Sequence, residues 1–144
     1  MITNDISPKL FLKMTRVIYF SLWAGLMTFL IMTLYITDNK LIFNTVISDP
    51  LMISTFLITC ISLPAGYIFT KRTFSKIDQN GLLKDKLPTY QTGQIVRLAT
   101  CEGVGLLSIV SLLLTSNLFF LIFLLIALFI MIQYYPTPDK IGRE

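Results

Sequence analysis

The chain contains no histidine and only two cysteines, Cys60 and Cys101. Without histidine, imidazole ligation of haem, the usual zinc sites and any Ser-His-Asp arrangement are excluded. No Cys-x-x-Cys is present, which removes dithiol redox chemistry, and both cysteines fall inside apolar runs, where they read as small packing residues. Charge is also scarce, at 14% of 144 residues against about 25% in a soluble domain. Residues 51–70 and 118–135 hold no Asp, Glu, Lys or Arg. A helix in water needs a polar face, and these stretches offer none at any angle. No nucleophile–base pair, metal cluster or phosphate-binding loop stands out, so no cofactor, metal or enzymatic activity is expected.

What the chain does have is apolar length. Four stretches, residues 17–36, 51–70, 94–115 and 118–135, each approach the roughly 20 residues that carry an α-helix across a bilayer. The expected fold is all-α: an integral membrane bundle of four transmembrane helices, built as two antiparallel hairpins. The remaining residues are too few for a second folded unit, so residues 1–144 form one domain whose first partner is the lipid bilayer. The first apolar run is longer than a signal-peptide core, which is usually about 7–15 residues, and is read as a retained span.

The net charge of +4 is unevenly placed. Lys9, Lys13 and Arg16 precede the first span; Lys71, Arg72, Lys76, Lys84 and Lys86 lie between the second and third; Lys140 and Arg143 end the chain. The other connections carry only Lys40, beside Asp38 and Asp49. By the positive-inside rule both termini and the central loop face the cytoplasm. Topology accounts for the basic loop, so no nucleic-acid partner is expected.

Small residues four apart let helices approach closely, and three such pairs occur: Ser21/Gly25, Ser62/Gly66 and Ala99/Gly103, with Gly105 beside the last. Pro64 should kink the second span by removing a hydrogen bond to the Cys60 carbonyl, with Thr59 and Ser62 near enough to satisfy freed carbonyls. Asn80-Gly81 signals a turn, and Pro88-Thr89 or Thr92 should start the third helix. Ser116-Asn117 joins the third and fourth spans tightly, and Pro136 should end the fourth.

Chemistry, if any, centres on Arg97 and Glu102. Glu102 is the single acidic residue inside any expected span. A charged side chain at mid-span costs about 2.5–3.5 kcal/mol on insertion scales and usually faces a partner, a cavity or a pathway. Arg97 lies five residues away, about 140° round the helix, so the two do not stack; it is a candidate counter-charge or a side chain that snorkels to the headgroups. Ala99 and Gly103 would admit a helix offering Ser21, Thr28, Thr59 or Ser62 as a donor to Glu102.

Arg97-Leu-Ala, Glu102-Gly, Leu113-Leu-Thr-Ser-Asn117 and Pro136-Thr-Pro-Asp-Lys140 together resemble an uncharacterised group of small bacterial four-span membrane proteins. The resemblance implies a multi-pass protein of the bacterial inner (cytoplasmic) membrane. The carboxylate followed by Gly-x-Gly is similar to the proton-binding proteolipid of rotary ATPases, which would make Glu102 an ion-binding carboxylate. That family is richer in glycine than this chain, which has seven. The expected role is a non-enzymatic accessory or structural subunit of a membrane complex, packing with itself or another membrane protein. The alternative is a proton- or cation-coupled transport or channel component using Glu102, with Arg97 as gate or counter-charge.

Overall fold

The structure, a computed structural model, describes residues 8–37, 41–43, 49–75 and 83–135, without the side chains at 8, 9, 11 and 83–87. The Asn80-Gly81 turn, Pro136, Lys140 and Arg143 lie outside these residues. Four helices follow in order: α1 (Pro8–Ile36), α2 (Pro50–Phe74), α3 (Leu83–Thr115) and α4 (Phe120–Gln133). Within the first three, Leu12–Ile36, Pro50–Phe74 and Pro88–Thr115 are long and apolar enough to cross a membrane.

The fourth helix is shorter than the sequence implied. It has 14 residues, about 21 Å at 1.5 Å per residue, because residues 118–119 form a turn and Tyr134 leaves the helix. The third is longer: it begins at Leu83, and Pro88 lies inside it. In the second turn Pro88 removes only the bond to the Lys84 carbonyl, which does not stop a helix carried on by 27 further residues. α2 likewise runs unbroken through Pro64. Thr59 does not serve the carbonyl freed there; its hydroxyl donates to the Thr55 carbonyl at 2.7 Å.

Local signals explain the helix ends. Pro50 occupies the first turn of α2, where its missing N–H costs nothing, and the Asp49 carboxylate accepts from the Leu51 N–H at 3.0 Å. Between α3 and α4, Ser116 takes a left-handed conformation (φ 54°) that closes α3, and its N–H donates to the Leu112 carbonyl at 2.8 Å. The Asn117 side chain then accepts from the Phe119 N–H at 3.0 Å. Ile42, from the α1–α2 connection, pairs with this turn: its N–H reaches the Ser116 carbonyl and its carbonyl accepts from the Leu118 N–H, both at 2.9 Å.

Helix α3 is the centre of the bundle, packing against each of the other three. α3 and α4 form the expected antiparallel hairpin, but α1 and α2 do not pack on each other as a second one. The connection between them is long enough to place them on different flanks of α3. α2 runs antiparallel to α3, with Thr55 meeting Ser111, Gly66 meeting Thr100 and Phe74 meeting Tyr90. α1 runs parallel to α3, with Leu26 against Gly105, and its N-terminal half reaches the end of α4, where Tyr19 meets Tyr135.

The burial pattern of α2 is the reverse of a soluble helix. On α2, Thr55, Thr59, Gly66 and Thr70 are buried, while Ile53, Phe56, Ile61 and Phe69 are exposed. Several inward hydroxyls donate to the carbonyl four residues back, as Thr70 does to Gly66 and Ser108 to Val104. Small and hydroxylated residues inside with large apolar ones outside is the arrangement that hydrocarbon solvent favours, since exposed Leu and Phe cost nothing there. A hydroxyl–hydroxyl bridge between Thr55 and Ser111 joins α2 to α3, at 3.0 Å and fully buried. Thr55→Val should destabilise the bundle by about 0.6 kcal/mol, the usual worth of such a bond in a membrane. Detergent denaturation of T55V, S111A and the double variant checks this as a coupling energy.

Candidate functional site

Two features surround the charged pair on α3, and they lie on different faces of that helix. Arg97 turns toward α2 and α4 and is only 8% exposed. Its guanidinium carbon lies 4.9 Å from the ring centre of Phe74, 5.0 Å from Tyr134 and 6.0 Å from Tyr67. It therefore does not snorkel outward: three aromatic faces hold the cation by their quadrupoles. Phe74 is itself fixed by stacking on Tyr90, with centroids 5.4 Å apart and planes 8° from parallel. Gly93 makes that position possible, because a Cβ there would collide with the Phe74 ring. Buried Gln94 extends the polar layer by donating to the Tyr90 hydroxyl at 3.0 Å.

A second guanidinium stands nearby on α1. Arg16 lies 5.7 Å from the ring centre of Tyr135, which packs edge-on against Tyr19. α4 has no basic residue in its own last turn. Arg16 and Arg97, supplied by α1 and α3, thus bring positive charge to the residues that follow its C-terminus, the end that carries negative dipole charge.

Beside Arg97 is a cavity of about 180 Å³ bounded by α2, α3 and α4, with Leu63, Pro64, Tyr67, Ile130 and Tyr134 on its walls. Cys101 also borders it, whereas Cys60 faces outward from α2, so the two thiols are free and are not paired.

Glu102 lies outside that cavity. It is partly exposed and flanks the outward stripe of α3 made by Ile95, Ala99, Gly103, Leu106 and Val110. It sits 14 residues after Pro88 and 13 before Thr115, the middle of the candidate span. Among the described residues no hydrogen bond or ion pair holds its carboxyl. The donors expected from other helices are not brought to it: Ser21 and Thr28 are exposed, and the Thr59 hydroxyl is engaged within α2. Arg97 and Glu102 are not brought together either.

The small pairs divide in the same way. Gly66 is used inside, where a Cβ would lie 2.8 Å from the Thr100 hydroxyl, and Gly105 lies under Leu26 and Leu124. At Gly25 and Gly103 an added Cβ meets nothing within 4 Å, and Ser21 and Ala99 are exposed beside them. The aromatic cage is the feature that sequence reading missed. Phe74 and Tyr134 lie sixty residues apart in the sequence; only an arginine within reach of both could have linked them. No protein-family model, curated protein or solved structure matches this chain.

Proposed function

We propose that this protein is a non-enzymatic accessory or structural subunit of a membrane complex, in the bacterial inner membrane. In this reading all four helices cross the bilayer, both termini lie in the cytoplasm, and α3 offers its outward face to a second copy or to another membrane protein. The observation that carries it is the placement of Glu102 at mid-span between Ala99 and Gly103, outward and with no partner among the described residues. A carboxyl in hydrocarbon has several kcal/mol to recover from a partner, and small neighbours let another backbone come close enough to supply one. The basic residues about the first helix and the central loop support the orientation.

The test is Gly103→Leu in the full-length chain. An added Cβ there meets nothing within 4 Å and the position is exposed, so folding should be retained while self-association or co-purification of the partner falls about tenfold or more, as overpacking by about 1–3 kcal/mol implies. Native mass spectrometry of protein extracted from membranes reads both. Unchanged association in both G103L and A99L would sink the reading. The second reading, a proton- or cation-coupled transport component, is favoured by the mid-span carboxyl itself, since intramembrane acids often serve ion pathways.

A further inference from the structure

We propose that a crevice near the start of α1 binds an anionic phospholipid, its phosphate on Lys13 and Arg16 and an acyl chain along Val17 and Phe20. These four residues and Leu12 line about 340 Å³, within the roughly 300–1,000 Å³ of small-molecule sites. Spacings of three and four residues place Lys13, Arg16, Val17 and Phe20 one above another on a single face of the helix. The cations stand nearer the start of α1 and the exposed apolar pair nearer its middle. Polarity therefore changes along the crevice as it does along a lipid. Tyr135, just past α4, meets both Arg16 and Phe20 and helps to fix those side chains.

Charge selects the ligand. Among the described residues no hydrogen bond or ion pair engages Lys13 or Arg16, and no carboxylate lines the crevice. The Arg16 Nε is turned inward without a partner, but the terminal nitrogens are not enclosed, and Lys13 is exposed. Like charges this close on a helix repel, and an anion set between them turns the repulsion into attraction. Depth agrees. α1 is long enough to cross a bilayer over Leu12–Ile36. About 20 residues counted back from Ile36, the length that spans hydrocarbon, reach Val17. Lys13 and Arg16 then fall at the headgroups, with Val17 and Phe20 just inside. The same count puts Leu26 at mid-span, and Leu26 packs on Gly105, three residues from Glu102. The crevice and the mid-span carboxyl are thus placed by one register. A free phosphate would leave Val17 and Phe20 unused, whereas a phospholipid occupies both ends. Basic residues at this level attract anionic lipid by the same chemistry.

The experiment uses the full-length protein in nanodiscs of phosphatidylcholine mixed with phosphatidylglycerol, with retained lipid counted by native mass spectrometry. Wild type should keep one phosphatidylglycerol per chain, favoured about 20-fold over phosphatidylcholine, roughly fivefold for each of two basic side chains. Arg16→Gln or Lys13→Gln should each lower the preference about fivefold, and the double variant should abolish it. Val17→Trp, which fills the apolar end and leaves both cations, should lose the retained lipid. Lys71→Gln removes an exposed cation at the same end of the bundle and should change nothing. Equal retention of both lipids by wild type, an unchanged preference in the double variant, full retention in V17W, or an equal fall in K71Q overturns the site. A preference that appears only in Asp139→Asn would give the crevice to this chain's own C-terminal segment and overturn the lipid assignment. So would a melting temperature raised by inorganic phosphate without any lipid preference, which makes the occupant a free anion.

Discussion

Alanine at Gly93 is expected to destabilise the bundle by about 1–3 kcal/mol, and alanine at Gly66 by a similar amount, the usual cost of forcing extra volume into a packed interface. At Gly93 the new methyl would strike Phe74, which is stacked on Tyr90 and forms one wall around Arg97. The ring cannot retreat without giving up both contacts. At Gly66 the obstacle is Thr100, whose Cβ would lie 3.0 Å away and whose hydroxyl is bound to the Val96 carbonyl. That side chain has one short bond about which to turn, so the helices themselves must separate. Gly25→Ala and Gly103→Ala provide the internal comparison. Each has open space, and each replaces a poor helix former, so both should be neutral or stabilising by up to about 1 kcal/mol in the isolated chain. Titration from mild detergent into sodium dodecyl sulfate, followed by near-ultraviolet circular dichroism, measures the four values. Equal effects at all four glycines would contradict the packing described.

Glu102→Leu is expected to act with opposite signs on insertion and on assembly. Exchanging a mid-span acid for leucine should favour membrane insertion of α3 by about 3 kcal/mol on biological scales. Measured by glycosylation of a tagged third helix, this is a shift to nearly complete insertion. If the carboxyl is the group that a partner engages, the same substitution should remove association in the membrane. Glu102→Gln separates the two functional readings, since it keeps size and hydrogen bonding and removes ionisation. A subunit that needs a polar contact should tolerate glutamine and lose assembly with leucine. An ion-coupled carrier should lose flux in proteoliposomes with either. Flux retained in E102Q would remove the transport reading.

The architecture was legible where length and turn chemistry decide it. Long apolar runs marked α1, α2 and the apolar part of α3, and Ser116-Asn117 marked the tight turn after α3. Packing order was not legible, because a helix apolar on every side carries no periodicity to say which face meets a neighbour. Ser21/Gly25 and Ser62/Gly66 are near-identical motifs, yet the first is exposed and Gly66 of the second is buried against Thr100. What separates them is the line of hydroxyls on the α2 face, Thr55, Thr59 and Thr70, which turns inward with Gly66. Pro88-Thr89 and Thr92 both signal a helix start, yet five helical residues precede Pro88, so that local signal yielded to the continuing chain. At the site, Glu102 stood out by charge alone. The surroundings of Arg97 did not, since they are assembled from three helices by a crossing angle that no local pattern encodes.

The brevity of α4 has a mechanical consequence for the surrounding lipid. Its 14 residues span about 21 Å, roughly 9 Å less than the usual hydrocarbon thickness. The 25 residues of α2 exceed that thickness. If α4 crosses the bilayer as proposed, acyl chains along its flank must compress while those beside α2 stretch, at fractions of a kcal/mol for each ångström of mismatch. Such a molecule tilts the local bilayer surface like a wedge, and lowers its elastic energy by drifting to thinner membrane or by turning short flank toward short flank.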